Sequence, residues 1–328
     1  MSKSLKIISF DIARAIGMLY IIAVWHLANY TSTFSLEPYG RYVTYGVLGM
    51  FMFVSGWLLD AKYAVSERVN IKHFAKKRVL RLMPLYLIAL VAFYFSGTIK
   101  IKTLIFALFG LSSFIPPQPP TLWFVSLIID FYLLFPFLCY RKHHFSHVVF
   151  GIVYLVICLL YIVLPNIDKR FLLYFPCFYA GILFDRYRLM QYLLKWQVFI
   201  GSVGLFCVCI WLDYMINIRI VRLVNTTIIA LAFTNTLIYL SELMTKLSIT
   251  KIFTWLAYSS MAAYMFHRQI IEAFRRLMIW PEDGINRLLF LLLICIPVIL
   301  LGGCLIQSGY DYIIRRLEKN RSDNCVLI

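Results

Sequence analysis

The sequence predicts an all-α, polytopic transmembrane helix bundle, and three observations support this fold class. Of the 328 residues, 62% are hydrophobic and only 14% are charged, and the mean hydropathy is +0.81. A soluble globular chain is about half apolar and about a quarter charged, so lipid is the expected main solvent here. The apolar residues also form separate runs of the length that crosses a bilayer, about 20 residues in a helix.

Ten such runs predict about ten spanning helices. They lie at residues 12–30, 43–61, 82–96, 121–140, 147–164, 171–184, 197–213, 220–240, 252–271 and 286–310. The third and sixth runs are short and are expected to tilt or to be buried among other helices. Residues 99–111 are apolar but too short to span, and the prolines of 116–120 favour an interfacial or re-entrant segment there. Without an internal repeat or soluble appendage, residues 1–328 are predicted to form a single membrane domain.

The basic residues predict the orientation of the bundle. With the N-terminus inside, the inside segments hold about 20 Lys and Arg, and the outside loops hold about 11. This asymmetry places both termini in the cytoplasm, in a multi-pass protein of the cell (cytoplasmic or inner) membrane. A net charge of +17 is also typical of nucleic-acid binding proteins. However, the basic residues lie between apolar runs, so the expected partner is membrane lipid and not nucleic acid.

Metal and disulfide chemistry are not expected. The eight cysteines are scattered, mostly inside apolar runs, and form no CxxC pair. His143, His144 and His147 have a spacing that metals can use, but no cysteine or carboxylate lies beside them in the sequence. The sequence therefore predicts no metal cofactor.

The first predicted helix carries three ionisable residues. Asp11 and Arg14 lie near its inner end, and His26 lies in its outer third. An ionisable group in a spanning helix costs several kcal/mol and usually faces a cavity or a partner. Asp11 and Arg14 alone could form an interfacial ion pair, but His26 lies deeper and indicates a functional site.

Asp-x-x-Arg followed by an apolar stretch and a histidine resembles the first helix of the membrane acyltransferase 3 family, bacterial acyl-CoA-dependent O-acyltransferases. Four further stretches resemble that family in the same order: GMFMFVSGWLL (49–59), FAKKRVLRLMPLYL (74–87), LWFVSLIIDFYLLFP (122–136) and YSSMAAYMFHRQI (258–270). Their matching residues are Ser55-Gly56, then Arg78, Arg81, Pro84 and Tyr86, then Trp123, and finally the Tyr-x-x-His that ends at His267. The resemblance covers residues 9 to about 271 and implies a membrane O-acyltransferase.

Two positions depart from the family pattern. Where the family commonly has Ser-x-x-Glu, Ser126 is followed by three apolar residues, and Asp130 comes one position later. The spacing from Arg14 to His26 is 12 residues, against 11 in the family. On an ideal helix 11 residues leave two side chains nearly aligned, whereas 12 leave them about 120° apart. If Arg14 and His26 serve one cavity, we therefore expect a kink or π-bulge between them, or an Arg14 side chain that reaches around the helix.

A donor site is predicted at the inner face, for acetyl-CoA as the acyl donor. Arg14, Lys76, Lys77, Arg78 and Arg81 lie where cytosolic phosphates arrive, and the forked guanidinium suits phosphate. Twelve helical residues rise about 18 Å, roughly the reach of a pantetheine arm. Phosphates held at the inner face would therefore deliver the thioester near His26. Ordinary positive-inside charge is the alternative explanation for residues 72–81.

The catalytic residues are predicted to be His26, His267 and Asp11. His267 lies about 15 residues into an outward-running helix, at a depth similar to that of His26, and either histidine can serve as general base on a sugar hydroxyl. Asp11 could orient Arg14. The predicted substrate-binding residues for a sugar or polysaccharide acceptor are Trp123, Tyr132 and Ser55.

Two other functions compete with the acyltransferase hypothesis. A transporter, such as a glycolipid flippase, also needs polar groups inside its bundle, but no paired half-helices or inverted repeat are visible. A structural or lipid-scaffold protein would leave His26 and His267 without a purpose. The acceptor sugar, the length of the acyl group and the presence of a homo-oligomer stay open at this point.

Overall fold

A computed structural model describes residues 8–63, 71–139, 145–164, 166–247, 250–277 and 280–325, with side chains up to residue 316. Every regular element among these residues is helical, which confirms the predicted all-α class. The α-helices are α1 (Ile8–Tyr20), α2 (Gly40–Tyr63), α3 (Ile71–Phe95), α4 (Ile101–Leu108), α5 (Trp123–Leu138), α6 (Phe145–Val163), α7 (Arg170–Arg186), α8 (Met190–Leu193), α9 (Trp196–Met215), α10 (Arg219–Met244), α11 (Thr250–Arg276), α12 (Ile285–Phe290) and α13 (Ile296–Cys325).

Seven helical segments of the described residues are long and apolar enough to cross a membrane. They are Ile8–Asn29, Gly40–Tyr63, Ile71–Phe95, Phe145–Val163, Trp196–Met215, Arg219–Met244 and Ile285–Arg316. The first and last join an α-helix to a π-helical turn, Ile21–Trp25 after α1 and Leu291–Cys295 between α12 and α13. The chain is therefore a membrane protein with several spanning helices.

The other three predicted spans correspond to α5, α7 and α11. Helices α5 and α7 have 16 and 17 residues and are too short to meet the same criteria. Helix α11 has 27 residues, but polar side chains such as Ser259, Ser260 and His267 lower its hydropathy. That α5, α7 and α11 also span the membrane thus stays a prediction, and so does the total of about ten spans. The segment at 99–111 contains α4, which at eight residues is too short to span, as expected.

The bundle has a buried centre and a lipid-facing periphery. Helix α2 packs against α7 and α10, while α1 packs against α11 and α10, and α11 against α13. In α2, 72% of the most apolar stretch is buried, against 11% in α6 and 6% in α9. Helices α6 and α9 therefore present most of their surface to the surroundings, and α1, α2, α10 and α11 can hold polar groups away from lipid.

Helices α2 and α7 cross in close backbone contact at two glycines. A Cβ atom added to Gly56 would lie 2.0 Å from the carbonyl oxygen of Phe178, and one added to Gly181 would lie 2.0 Å from that of Phe53. Because backbone cannot move aside as a flexible side chain does, neither position has room for a methyl group. Small residues at helix crossings are the usual way for membrane helices to approach closely.

We expect Gly181→Ala to lower the free energy of unfolding by about 1–3 kcal/mol, the usual cost of overpacking, and to outweigh the helix propensity that alanine gains. The measurement is denaturant-induced unfolding of the purified protein in mixed micelles. Gly204→Ala on α9 is the matched control, because nothing lies within 4 Å of a Cβ atom there. An equal or higher stability of Gly181→Ala than of the control would contradict the close crossing.

Candidate functional site

The first helix changes its winding between Arg14 and His26. The chain follows an α-helix to Tyr20, a π-helical turn over Ile21–Trp25 and a 3₁₀ turn over Leu27–Asn29. A π-helical turn accommodates one extra residue, so a spacing of 12 gives nearly the angular relation that 11 residues have in an ideal helix. The deviation expected from the sequence is confirmed, and His26 is buried with 8% of its surface exposed.

His26, directly after the π-helical turn that follows α1, and His267 on α11 form a hydrogen-bonded pair. The Nδ1 atom of His26 lies 2.8 Å from the Nε2 atom of His267, and the two ring planes are within 9° of parallel. The Nδ1 atom of His267 lies 2.7 Å from the carbonyl oxygen of Tyr264, and the Tyr264 hydroxyl donates to the carbonyl of Thr121 at 2.8 Å. This chain of contacts fixes both rings.

The same contacts assign the tautomers of the two histidines. A carbonyl oxygen only accepts, so Nδ1 of His267 donates to Tyr264. The neutral His267 ring then has an unprotonated Nε2, which accepts from Nδ1 of His26. Since His267 is fully buried, the neutral form is the one that avoids an uncompensated charge. The Nε2 atom of His26 is left with a free lone pair and can accept a proton.

His26 lines a cavity of about 750 Å³ at one end of the bundle. A volume of 300–1,000 Å³ is typical of small-molecule sites. Its walls come from the turn after α1, the loop before α2 and the starts of α5 and α7, with Tyr264 and Arg268 from α11. In the predicted topology this end faces outside.

Aromatic and charged side chains share one wall of this cavity. The guanidinium of Arg170 lies over the Trp123 ring at 4.1 Å and also donates to the side-chain oxygen of Gln118. Gln118 in turn donates to Asp168 at 2.7 Å. Trp25, Tyr45 and Tyr174 add further aromatic surface to the lining. Such a wall suits a sugar, because the apolar faces of a sugar ring pack on aromatics while its hydroxyls need hydrogen-bond partners.

A polar clasp joins the two loops beside the cavity. Asp283, in the segment before α12, accepts from the Thr31 hydroxyl at 2.9 Å and from the Ser32 backbone N–H, and it pairs with Arg287 at 3.3 Å. Hydrogen bonds from Ser32 and Thr31, together with the Arg287 charge, lower the pKa of the exposed Asp283 carboxyl to about 2. Asp283 therefore keeps its negative charge at physiological pH, and its contacts with Thr31, Ser32 and Arg287 persist.

The predicted donor-site residues lie at the opposite end of the bundle. Asp11 accepts a hydrogen bond from Arg14, and its orienting role stays a prediction. Arg78 lies over the rings of Tyr132 and Phe74 at 5.5 and 5.6 Å. The Nε atoms of Arg14 and Arg78 are buried and, among the described residues, lack a hydrogen-bond partner.

The structure brings some of the predicted residues together and separates others. His26 and Trp123 share the cavity with Tyr264, and His267 contacts His26 behind it. Tyr132 is nine residues beyond Trp123 on α5, about 14 Å along the axis, and Ser55 is on α2; neither lines the cavity.

Lys77 and Arg81 are exposed on α3 at the donor end. The like charges of Lys77, Arg78 and Arg81 act on Lys62 at the end of α2, so the ends of α2 and α3 form one cationic region.

Among the cavity residues that were not singled out from the sequence are Arg268, Arg170 and Gln118. Arg268 had a sequence signal, since it directly follows His267 in a predicted spanning helix, where an arginine is costly. Arg170 is the first residue of α7 and Gln118 lies in a loop. Their contact with each other, and that of Arg170 with Trp123, depends on tertiary packing that no local pattern indicates.

Asp130 lies apart from the histidine pair. Its side chain is close to Gly110, at the 3₁₀ turn Leu111–Ser113, where a Cβ atom on the glycine would be 3.0 Å from a carboxyl oxygen. Tyr86, Ser112 and Ser126 form a hydrogen-bonded cluster beside the same turn. Asp130 does not line the cavity.

The described residues contain no group of three or more His, Cys, Asp or Glu placed to hold a metal ion. His143 and His144 lie outside those residues. His147 contacts the hydroxyls of Tyr179 at 2.9 Å and Tyr187 at 3.2 Å.

Fold and site together define a helical membrane protein with a buried histidine pair beside a cavity that aromatic and charged side chains line. A family model described as an acyltransferase domain matches residues 7–306. The chain therefore belongs to the acyltransferase 3 family, and the family and the apolar helices indicate a membrane acyltransferase. Comparisons with curated proteins and with solved structures give no match.

Proposed function

We propose that this protein transfers acetyl from cytosolic acetyl-CoA to a hydroxyl of a cell-surface polysaccharide or of its lipid-linked precursor, in the cytoplasmic or inner membrane. The observation that carries the proposal is the hydrogen-bond chain from Tyr264 through His267 to His26. It leaves a lone pair on Nε2 of a buried histidine that lines a cavity large enough for a sugar. A general base needs this combination of free lone pair, fixed orientation and access.

The proposed reaction is a single displacement. Nε2 of His26 takes the proton of the acceptor hydroxyl while the hydroxyl oxygen attacks the carbonyl carbon of the thioester. The tetrahedral intermediate collapses with cleavage of the carbon–sulfur bond, and the imidazolium returns the proton to the departing thiolate. The products are an acetyl ester and free CoA. His267 acts as a positioning residue, because it holds the His26 ring through Nδ1.

The donor would bind at the opposite end of the bundle from the cavity. Arg14 and Arg78 each keep a buried Nε–H without a partner among the described residues, and Lys77 and Arg81 add positive charge on α3. A guanidinium with free N–H groups is suited to phosphate. With the phosphates there, the pantetheine arm would run about 18 Å along α1 to His26.

Acetyl-CoA turnover tests this function against a glycolipid transporter. Membranes containing the protein, supplied with acetyl-labelled CoA thioester, should release CoA and transfer label to a base-labile ester on glycan material. A transporter would leave the thioester intact. Membranes without the protein give the background, and a release of CoA no faster than that background would contradict the acyltransferase.

The proposed orientation predicts the accessibility of two engineered cysteines. In a variant without the eight native cysteines, Glu282→Cys near the clasp should react with an impermeant maleimide in intact cells. Lys72→Cys at the start of α3 should react only after permeabilisation, since positive-inside charge places it in the cytoplasm. Labelling of Lys72→Cys in intact cells would reverse the orientation and remove the route for cytosolic acetyl-CoA.

A further inference from the structure

Among the described residues, Arg268 has no counter-ion in the proposed acceptor cavity. It follows His267 on α11 and lines the same cavity as His26. Within the described part of the chain it makes no ion pair or hydrogen bond, and its Nε atom is buried without a partner. A guanidinium partly removed from water is costly unless an anion or several acceptors compensate it. Among the described residues the nearest carboxylate along α11, Glu272, pairs with Arg275 and Arg276 instead.

The other charges of the cavity lining do not compensate Arg268. Arg41 and Arg170 have carboxylates nearby, at 4.0 Å from Asp213 and 3.7 Å from Asp168. Lys169 lies over the Tyr45 ring at 5.7 Å and, among the described residues, pairs with no carboxylate. One carboxylate, Glu37, belongs to the described lining. Cations therefore exceed anions on this wall.

The proposed chemistry moves charge within the cavity without changing its sum, since the imidazolium of His26 and the tetrahedral oxyanion form together. When His26 accepts the hydroxyl proton it becomes a cation in the same cavity as Arg268, and like charges at short range in a poorly solvated site repel. A neutral sugar brings no net charge to offset the excess of cations in the lining. An acceptor with its own negative charge would compensate Arg268 on binding and stabilise the imidazolium as it forms.

We propose that the cavity takes an acidic acceptor, a sugar with a carboxylate or phosphate group, and that Arg268 binds this anionic group. The inference rests on the proposed function and specifies its acceptor class. Carboxylate and phosphate share the recognition chemistry, because the planar fork of a guanidinium donates two parallel hydrogen bonds to either. Lys169 contributes a second positive charge at the rim of the site.

Binding of three small probes to the purified protein tests this inference. Glucose, glucuronate and glucose 1-phosphate share the ring and differ in charge, and saturation-transfer NMR gives their relative affinities. We expect at least one acidic probe to bind about ten- to a hundredfold more tightly than glucose, the effect of one charge-assisted contact. The more tightly bound of the two acidic probes identifies the anionic group.

Variants on the same helix make the result specific. Arg268→Gln should remove the preference for the acidic probe, while Arg268→Lys, which keeps the charge, should retain part of it and guards against a folding defect in the glutamine variant. Arg275→Gln is the matched control, because Arg275 is exposed and pairs with Glu272 away from the cavity. It should leave the preference intact.

Three outcomes would overturn the inference: equal affinity for glucose and both acidic probes, no binding of any probe, or a preference that persists in Arg268→Gln. Turnover of acetyl-CoA by the same preparation is measured in parallel. A protein that turns over acetyl-CoA but shows no preference refutes the acidic acceptor alone, whereas a protein that shows the preference without turnover refutes the acyl transfer.

Discussion

Replacing His26 with alanine should lower the rate of acetyl transfer by about 10²–10⁴, the usual effect of removing a general base. The affinity of the His26→Ala variant for CoA should stay unchanged, because the proposed phosphate site is about 18 Å away along the first helix. Arg14→Ala should give the reverse pattern. The Arg14→Ala variant should lose about ten- to a hundredfold in CoA affinity, which is the value of one charge-assisted contact, and it still has His26 as the base.

A second variant separates the chemistry of His26 from its structural contact. An asparagine at this position can still donate an N–H to His267, but it has no basic nitrogen. His26→Asn should therefore be as inactive as His26→Ala while the protein unfolds at the wild-type denaturant concentration. Transfer by His26→Asn at near the wild-type rate would place the base elsewhere. Equal loss of CoA affinity in His26→Ala and Arg14→Ala would contradict the division into two sites.

His267→Leu should lower the transfer rate by about ten- to a hundredfold, the usual effect of removing an orienting partner of a functional histidine. Without the acceptor at His267, the proton of a neutral His26 is no longer confined to Nδ1, and part of the population has it on Nε2, where it blocks base catalysis. The measurement is the transfer rate at saturating acetyl-CoA, together with its KM, which should not change.

The glutamine variant distinguishes this positioning role from simple packing. His267→Gln keeps a side-chain oxygen that can accept from Nδ1 of His26, so it should recover most of the activity that leucine loses. Both variants alter the packing between α1 and α11, and a packing effect alone would reduce their rates to a similar extent. Equal rates for the two variants would contradict the tautomer assignment.

Much of the geometry of the first helix could be predicted from the local sequence pattern. The spacing of 12 residues between Arg14 and His26 predicted a departure from ideal winding, because angular position depends only on the number of residues and the helix geometry. The structure has the π-helical turn at Ile21–Trp25. The similar depth of His26 and His267 could likewise be predicted from their positions along two helices.

Contacts between distant helices could not be predicted in the same way. Depth alone does not determine which faces of α1 and α11 meet, so the 2.8 Å contact of the two histidines depends on the packing of the bundle. For the same reason Tyr132 was grouped with Trp123, although the structure places it beside Arg78. The number of spans is open for a related reason, since α5 and α7 are short and packed within the bundle.

The central claim is that acetyl passes from a cytosolic donor to an acceptor at the opposite face by way of His26. Sealed membrane vesicles of the two orientations test it, with acetyl-labelled CoA thioester supplied only to the medium. Inside-out vesicles should transfer label to glycan material, and right-side-out vesicles should do so only after permeabilisation, with His26→Ala inactive in both. Equal transfer by sealed right-side-out vesicles, or unchanged transfer by His26→Ala, would contradict the account.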